Sequence, residues 1–230
     1  MPGDEPPPRT TVPVQPDATI GRMAKGSGTG FFVNETGMVL TNFHVAGSCG
    51  VITVTGYDRR PVVARVAASA APIDLLLLST STTPPAVAPF SRDPARAPTD
   101  RALLVGFSLK GHPTATATPS NARIRPADLG TDGWRVMFNG RAYPGHSGSP
   151  LLNQFGEVVA VVHARATSKT TLAGGAVETH SGLAVSMRAT RQFLSDSKVS
   201  FHPGPAEKTY SDEQILERAR RFVVRVQCWS

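Results

Sequence analysis

Turn-forming residues recur at short intervals along this chain: 21 glycines and 20 prolines, many of them clustered, interrupt one brief apolar run after another. Long helices tolerate such punctuation badly, because proline removes a backbone donor and glycine adds conformational freedom. Many short strands joined by turns accommodate it. GFFV and MVLTNFHV flank Asn34-Glu35-Thr36-Gly37 and predict a hairpin with Gly37 at positive φ; VITVTGYD, PVVARVAAS and DLLLLST follow as strands. The second half continues with RALLVGFS, TATATPS, WRVMFNG, SPLLN, GEVVAVVHARA and SGLAVSM, with a turn at Gly156 and a short closing helix from Met187 to Leu194. No repeat of solenoid or propeller period is present.

A chain of 230 residues is long enough to bury a sizeable core, and all-β barrels of this size often form one domain. The predicted division is a disordered or extended arm over 1–19, a main unit over 20–196 and a linker plus tail over 197–230. Within the main unit two lobes are expected, about 20–90 and 98–190, joined by an exposed proline-rich connection from Pro84 to Pro98. In the tail, Ser211 and Gln214 fit a capping box, and Ile215, Leu216, Ala219, Phe222 and Val223 fall at helical spacing. At Phe222 the period changes to two: Val224, Val226 and Cys228 alternate with Arg225 and Gln227, as in a strand.

Bulk properties exclude some classes. No window approaches 18 apolar residues, so no transmembrane helix is predicted. The net charge of +7 is spread along the chain with no basic run and no aromatic interleaving, so no nucleic-acid partner and no membrane partner is expected. The first residues hold no apolar segment of the signal-peptide kind, which favours a cytoplasmic location, with secretion or a periplasmic location as the alternative. Cys49 and Cys228 form no CxxC pattern, which also leans towards an intracellular protein; whether they pair is open.

Chemistry concentrates in three blocks. Tyr143-Pro144-Gly145-His146-Ser147-Gly148-Ser149-Pro150 offers a serine between glycines, a sequence suited to a tight turn whose N–H groups converge. Thr41-Asn42-Phe43-His44-Val45 ends an apolar strand and supplies a base; Ile73-Asp74-Leu75-Leu76 puts a lone carboxylate in an apolar run, where burial is costly unless a partner such as His44 is present. A hydroxyl nucleophile, a base and an orienting carboxylate are the parts of acyl transfer, with Gly145 and Ser147 N–H groups as candidate oxyanion donors. His112, His146, His163, His180 and His202 lack metal-ligand spacing, so no metal and no other cofactor is expected.

Together GSGTGFFVNETGMVLTNFHV, IDLLLL and YPGHSGSPLLNQFGEVVAVV resemble the signature blocks of trypsin-like serine peptidases, most closely the HtrA/Deg protease domain. The resemblance spans about residues 25–195 and includes the order His, Asp, Ser. It implies two six-stranded antiparallel β-barrels with the active site between them, a triad of His44, Asp74 and Ser147, an oxyanion hole of Gly145 and Ser147, and protein or peptide substrates. It also implies a specificity pocket walled near Arg141, Ala142, His163, Arg165 and Leu183, with nothing acidic to favour Arg or Lys at P1. His146 stands where such proteases usually carry Asn or Asp, and its side chain is expected to tuck behind the oxyanion turn. No PDZ segment follows within the sequence. The implied function is serine endopeptidase, with a latent or inactive protease-fold binding protein as the alternative. SDEQILERARRFVVRVQC resembles the helix and strand that normally precede such a block, although here they follow it. It is read as a strand added to the first barrel, with exchange between protomers or the start of a second unit as the other options.

Overall fold

The computed structural model describes residues 18–92, 101–109, 115–129, 133–172, 175–204 and 208–230. The expected arm therefore lies almost wholly outside the described residues, as do 93–98 of the proline-rich connection. Two closed antiparallel barrels make up the fold, as the family resemblance implies.

The first barrel begins with β1 (Ala24–Phe32) and β2 (Met38–Thr41). The Asn34 side chain organises their hairpin, its Oδ1 accepting from the N–H groups of Thr36 and Met38, both at 3.2 Å, while Gly37 takes φ +82°. A short helix α1 (Phe43–Ala46) leads to β3 (Val51–Thr55) and β4 (Pro61–Ala70). After a 3-10 turn over Ala71–Ile73 comes β5 (Leu75–Ser79). Leu75 to Leu78 are all at most 1 % exposed and form the core with Phe31, Val39 and Leu40. Burying a leucine contributes about 1.5–3 kcal/mol, so this strand is a large part of what holds the barrel together.

Its sixth strand comes from far downstream. The capping box closes at Ser211 and Gln214, α3 spans Asp212–Arg220, and β14 (Val223–Trp229) follows. β14 lies between β1 and β3 and is antiparallel to both. Val224, Val226 and Cys228 face inward while Arg225 and Gln227 are half-buried, the alternation read from the sequence. A disulfide joins Cys49, just past α1, to Cys228, with Cα atoms 5.4 Å apart.

The second barrel runs β7 (Ala102–Gly106), β8 (Thr118–Leu129), β9 (Arg135–Gly140), β12 (Gly175–Ser186), β11 (Val158–Leu172) and β10 (Pro150–Leu152), closed by pairing of β10 with β7. The helix α2 (Met187–Asp196) follows, capped by Ser186 Oγ, which accepts from Ala189 N–H at 3.3 Å. The two-residue strands β6 (Pro89–Phe90) and β13 (His202–Pro203) extend the sheet in parallel beyond β11.

The expected exposed connection differs from the structure over its described part. Pro84, Ala88, Phe90 and Ser91 are buried, and Phe90 pairs with Val158. Proline content marks where a strand ladder must stop, but not whether apolar neighbours will be covered. Among the described residues no helix is long and apolar enough to cross a membrane.

Candidate active site

Asp74 is held before any histidine reaches it. It ends the 3-10 turn in the left-handed region, at φ 55°, ψ 41°, a conformation that aspartate tolerates better than most residues. Its carbonyl accepts from Phe43 N–H at 3.2 Å and from Asn42 Nδ2 at 2.9 Å, and its Oδ1 accepts from His44 N–H at 2.8 Å. Those bonds aim Oδ2 at two imidazoles. His44 Nδ1 and His163 Nδ1 each lie 2.6 Å from Oδ2, and the two rings meet edge to face at 5.8 Å. A carboxylate only accepts, so both rings carry their proton on Nδ1 and leave Nε2 with a lone pair. Burial alone would raise the Asp74 carboxyl; the hydrogen bonds from His163 and His44 outweigh it and hold the group well below the usual carboxylate range.

His163 owes its aim to a bulge. The register of β11 on β12 shifts between Val162 and Ala164, leaving His163 as the extra residue. Bulges of this kind redirect a side chain. The sequence reading placed His163 near the specificity pocket, and the structure turns its ring to Asp74. Of the other residues named for that pocket, Arg141 is exposed, Ala142 buried and Leu183 half-buried, while Arg165 is described only by its place in β11 opposite Gly182.

Ser147 sits in the turn before β10. Its hydroxyl donates to His163 O at 3.3 Å, and no hydrogen bond joins it to His44 among the described residues. Gly145 and Gly148 take φ +92° and +84°. A Cβ on Gly148 would lie 2.0 Å from Thr29 O, and one on Gly145 2.3 Å from Phe107 O, so neither position admits a side chain. The N–H groups of Gly145 and Ser147 make no hydrogen bond among the described residues, whereas those of His146 and Gly148 bond to Tyr143 O and Val162 O.

Sequence reasoning missed Thr29, fully buried between the barrels. Its N–H donates to Ser147 O at 2.8 Å and its hydroxyl to Gly145 O at 2.8 Å, while it accepts from Phe107 N–H at 2.9 Å and Thr41 Oγ1 at 2.7 Å. The one signal available was a threonine in a glycine-rich strand. Thr29→Val keeps the shape and orphans two buried backbone groups. We expect a loss of about 2–4 kcal/mol in thermal denaturation.

His146 is 2 % exposed, as the tucked orientation requires. Its Nδ1 accepts from Tyr143 N–H at 3.3 Å, which puts its proton on Nε2, and that atom has no partner among the described residues. Burial pushes its pKa down to about 4. The unfolded chain takes up this proton near the ordinary value of roughly 6.5, so between these values the unfolded state binds more protons. Stability is therefore complete above that range and falls as pH drops through it, by about 3 kcal/mol at pH 4. Chemical denaturation at stepped pH should show this loss, and His146→Asn should remove it.

A family model described as a trypsin-like peptidase domain matches residues 28–161, more than half of the sequence. The chain belongs to the trypsin-like peptidase family. A DegP-like periplasmic serine endoprotease of Marinomonas sp. is 32 % identical over 180 residues, covering 75 % of this chain and 36 % of that protein. An uncharacterised Sinorhizobium fredii protein, y4bJ, is 27 % identical over 230 residues, covering 95 % of this chain and 34 % of its own. This trypsin-like peptidase domain thus spans about a third of the length of the curated relatives it matches. The serine endoprotease of Yersinia pestis superposes with TM-score 0.59 at 21 % identity, covering 75 % of this chain and 58 % of that one. The HtrA-type protease AlgW with a decapeptide gives 0.58 at 20 %, covering 74 % and 51 %. These likenesses establish the fold that the resemblance implied.

Proposed function

We propose that the chain is a serine endopeptidase in which Ser147 is the nucleophile, His44 the general base and Asp74 the residue that orients it. What carries the reading is the bond from His44 Nδ1 to Asp74 Oδ2 at 2.6 Å, which leaves the His44 Nε2 lone pair free to accept a proton. Ser147 Oγ attacks the scissile carbonyl carbon as its proton passes to His44 Nε2. The carbonyl oxygen, now negative, is met by the unengaged N–H groups of Gly145 and Ser147. The imidazolium then gives its proton to the leaving amine, and water repeats the cycle on the acyl-enzyme.

For this the Ser147 hydroxyl exchanges its bond to His163 O for one to His44 on substrate binding. Catalytic hydrogen bonds often tighten only in that complex. Substrates are proteins or peptides. The residues considered for the specificity pocket include no acid, which disfavours Arg or Lys at P1.

The cytoplasmic expectation gives way to a secreted or periplasmic location. The Cys49–Cys228 disulfide suits an oxidising compartment, and DegP-like relatives are named as periplasmic.

A fluorophosphonate probe tests the nucleophile. Labelling of the folded protein that disappears in Ser147→Ala supports the reading; no labelling of folded wild type, with peptides uncleaved, sinks it.

A further inference from the structure

A triad needs one imidazole on its carboxylate, and Asp74 has two. We propose that His44, Asp74 and His163 form a site for a divalent transition-metal ion, zinc above all, and that occupancy switches the peptidase off reversibly. The binding part stands by itself; the inhibitory part rests on His44 being the base.

The donor atoms are already gathered. One nitrogen from each histidine and one carboxylate oxygen lie within 4.8 Å of one another. Zinc bonds of about 2.0–2.2 Å in tetrahedral geometry set ligand atoms roughly 3.3 Å apart. The two nitrogen-to-oxygen separations are 2.6 Å, and each opens by roughly 0.7 Å or more to admit the ion. Two imidazoles and a carboxylate suit zinc, copper, nickel and cobalt, whereas magnesium and calcium prefer sites made of oxygen alone.

The surroundings fit a metal ligand set. Asp74 contributes a carboxylate oxygen that both imidazoles already face, so the site supplies an anionic ligand between two neutral ones. Oδ1 is occupied by His44 N–H, which leaves Oδ2 directed at the histidines, an outer-shell restraint of the kind that orients ligands. The His44 side chain is 48 % exposed against 26 % for His163 and 11 % for Asp74, so one side of the cluster is open to the ion and to a water as fourth ligand.

Inhibition follows from the tautomers. In the metal-free site both rings hold hydrogen on Nδ1. A metal bonded to the Nδ1 lone pairs leaves each neutral ring with its hydrogen on Nε2, relocated through solvent, with no net proton change. His44 Nε2 then donates and has no lone pair for the proton of Ser147.

The experiment uses the full chain carrying Ser147→Ala, titrated with Zn²⁺ by calorimetry, with Mg²⁺ as control. We expect one tight site per chain that ignores Mg²⁺, and at least about a 10²-fold weaker affinity when His163→Asn is added. Should that variant fail to fold by circular dichroism, His44→Asn on the half-exposed ring serves the same purpose. With wild type, Zn²⁺ should suppress fluorophosphonate labelling and EDTA restore it. No Zn²⁺ binding by folded Ser147→Ala overturns the proposal, as does binding unchanged by loss of either histidine, which would place the ion elsewhere. Zinc binding in a protein that the probe never labels would keep the site and sink the peptidase reading; labelling indifferent to zinc would do the reverse.

Discussion

Asp74→Asn is expected to lower peptide hydrolysis by roughly 10³–10⁴-fold while leaving the protein folded, the scale seen when the orienting carboxylate of such a triad becomes an amide. The amide has one acceptor oxygen where the carboxylate has two. At present Oδ1 takes His44 N–H, and Oδ2 takes two imidazole hydrogens. If the amide oxygen keeps the backbone bond, the NH₂ group faces His44 Nδ1 and His163 Nδ1. Two donors cannot face each other, so His44 turns to the tautomer with hydrogen on Nε2 and loses its lone pair. Backbone contacts through Asp74 O, from Phe43 N–H and Asn42 Nδ2, are untouched. A kcat fall at nearly constant melting temperature checks this; activity within tenfold of wild type would remove Asp74 from the mechanism.

Reducing the Cys49–Cys228 disulfide is the largest stability effect we expect. The bond spans 179 residues. For a loop of that length the chain-entropy estimate is about 5 kcal/mol, and native disulfides typically contribute about 2–5 kcal/mol. We expect a loss of about 3–5 kcal/mol, or roughly 10 °C in melting temperature at this chain length. Calorimetry with and without a reductant reads it, and Cys49→Ser/Cys228→Ser should melt at the reduced value in both. A double variant as stable as oxidised wild type would show that the bond contributes nothing. The loss should also reach the site, because Cys49 lies just past the helix that carries His44.

Much of this was legible in the sequence, and for identifiable reasons. The strand pairs surrounding Gly37 and Gly156 were readable because turn chemistry is local: both glycines take positive φ. The tail was readable because its period changes from helical to alternating at Phe222, and α3 and β14 divide there. His44, Asp74 and Ser147 stand out because each breaks an apolar or glycine-rich run. What stayed hidden depends on long-range register. The role of His163 hangs on a bulge between strands whose pairing no local pattern announces. Thr29 bonds to residues more than a hundred positions away, and its sequence neighbours say nothing of them. Pro84 to Ser91 read as spacer by composition, yet Pro84, Ala88, Phe90 and Ser91 are buried and Phe90 pairs with Val158 of β11.

The position of β14 sets an order of events during synthesis. A ribosome delivers β1 to β5 early, yet the slot between β1 and β3 stays open until Trp229 has emerged. By then every strand of the other barrel has left the exit tunnel. His44 and Asp74 both belong to the barrel that waits, so the pair proposed to activate Ser147 sits in the barrel of this domain that closes second. Long-range pairing of this kind is slow. If the proposed triad is the working site, a growing chain would therefore lack protease activity until every strand of this domain has been made.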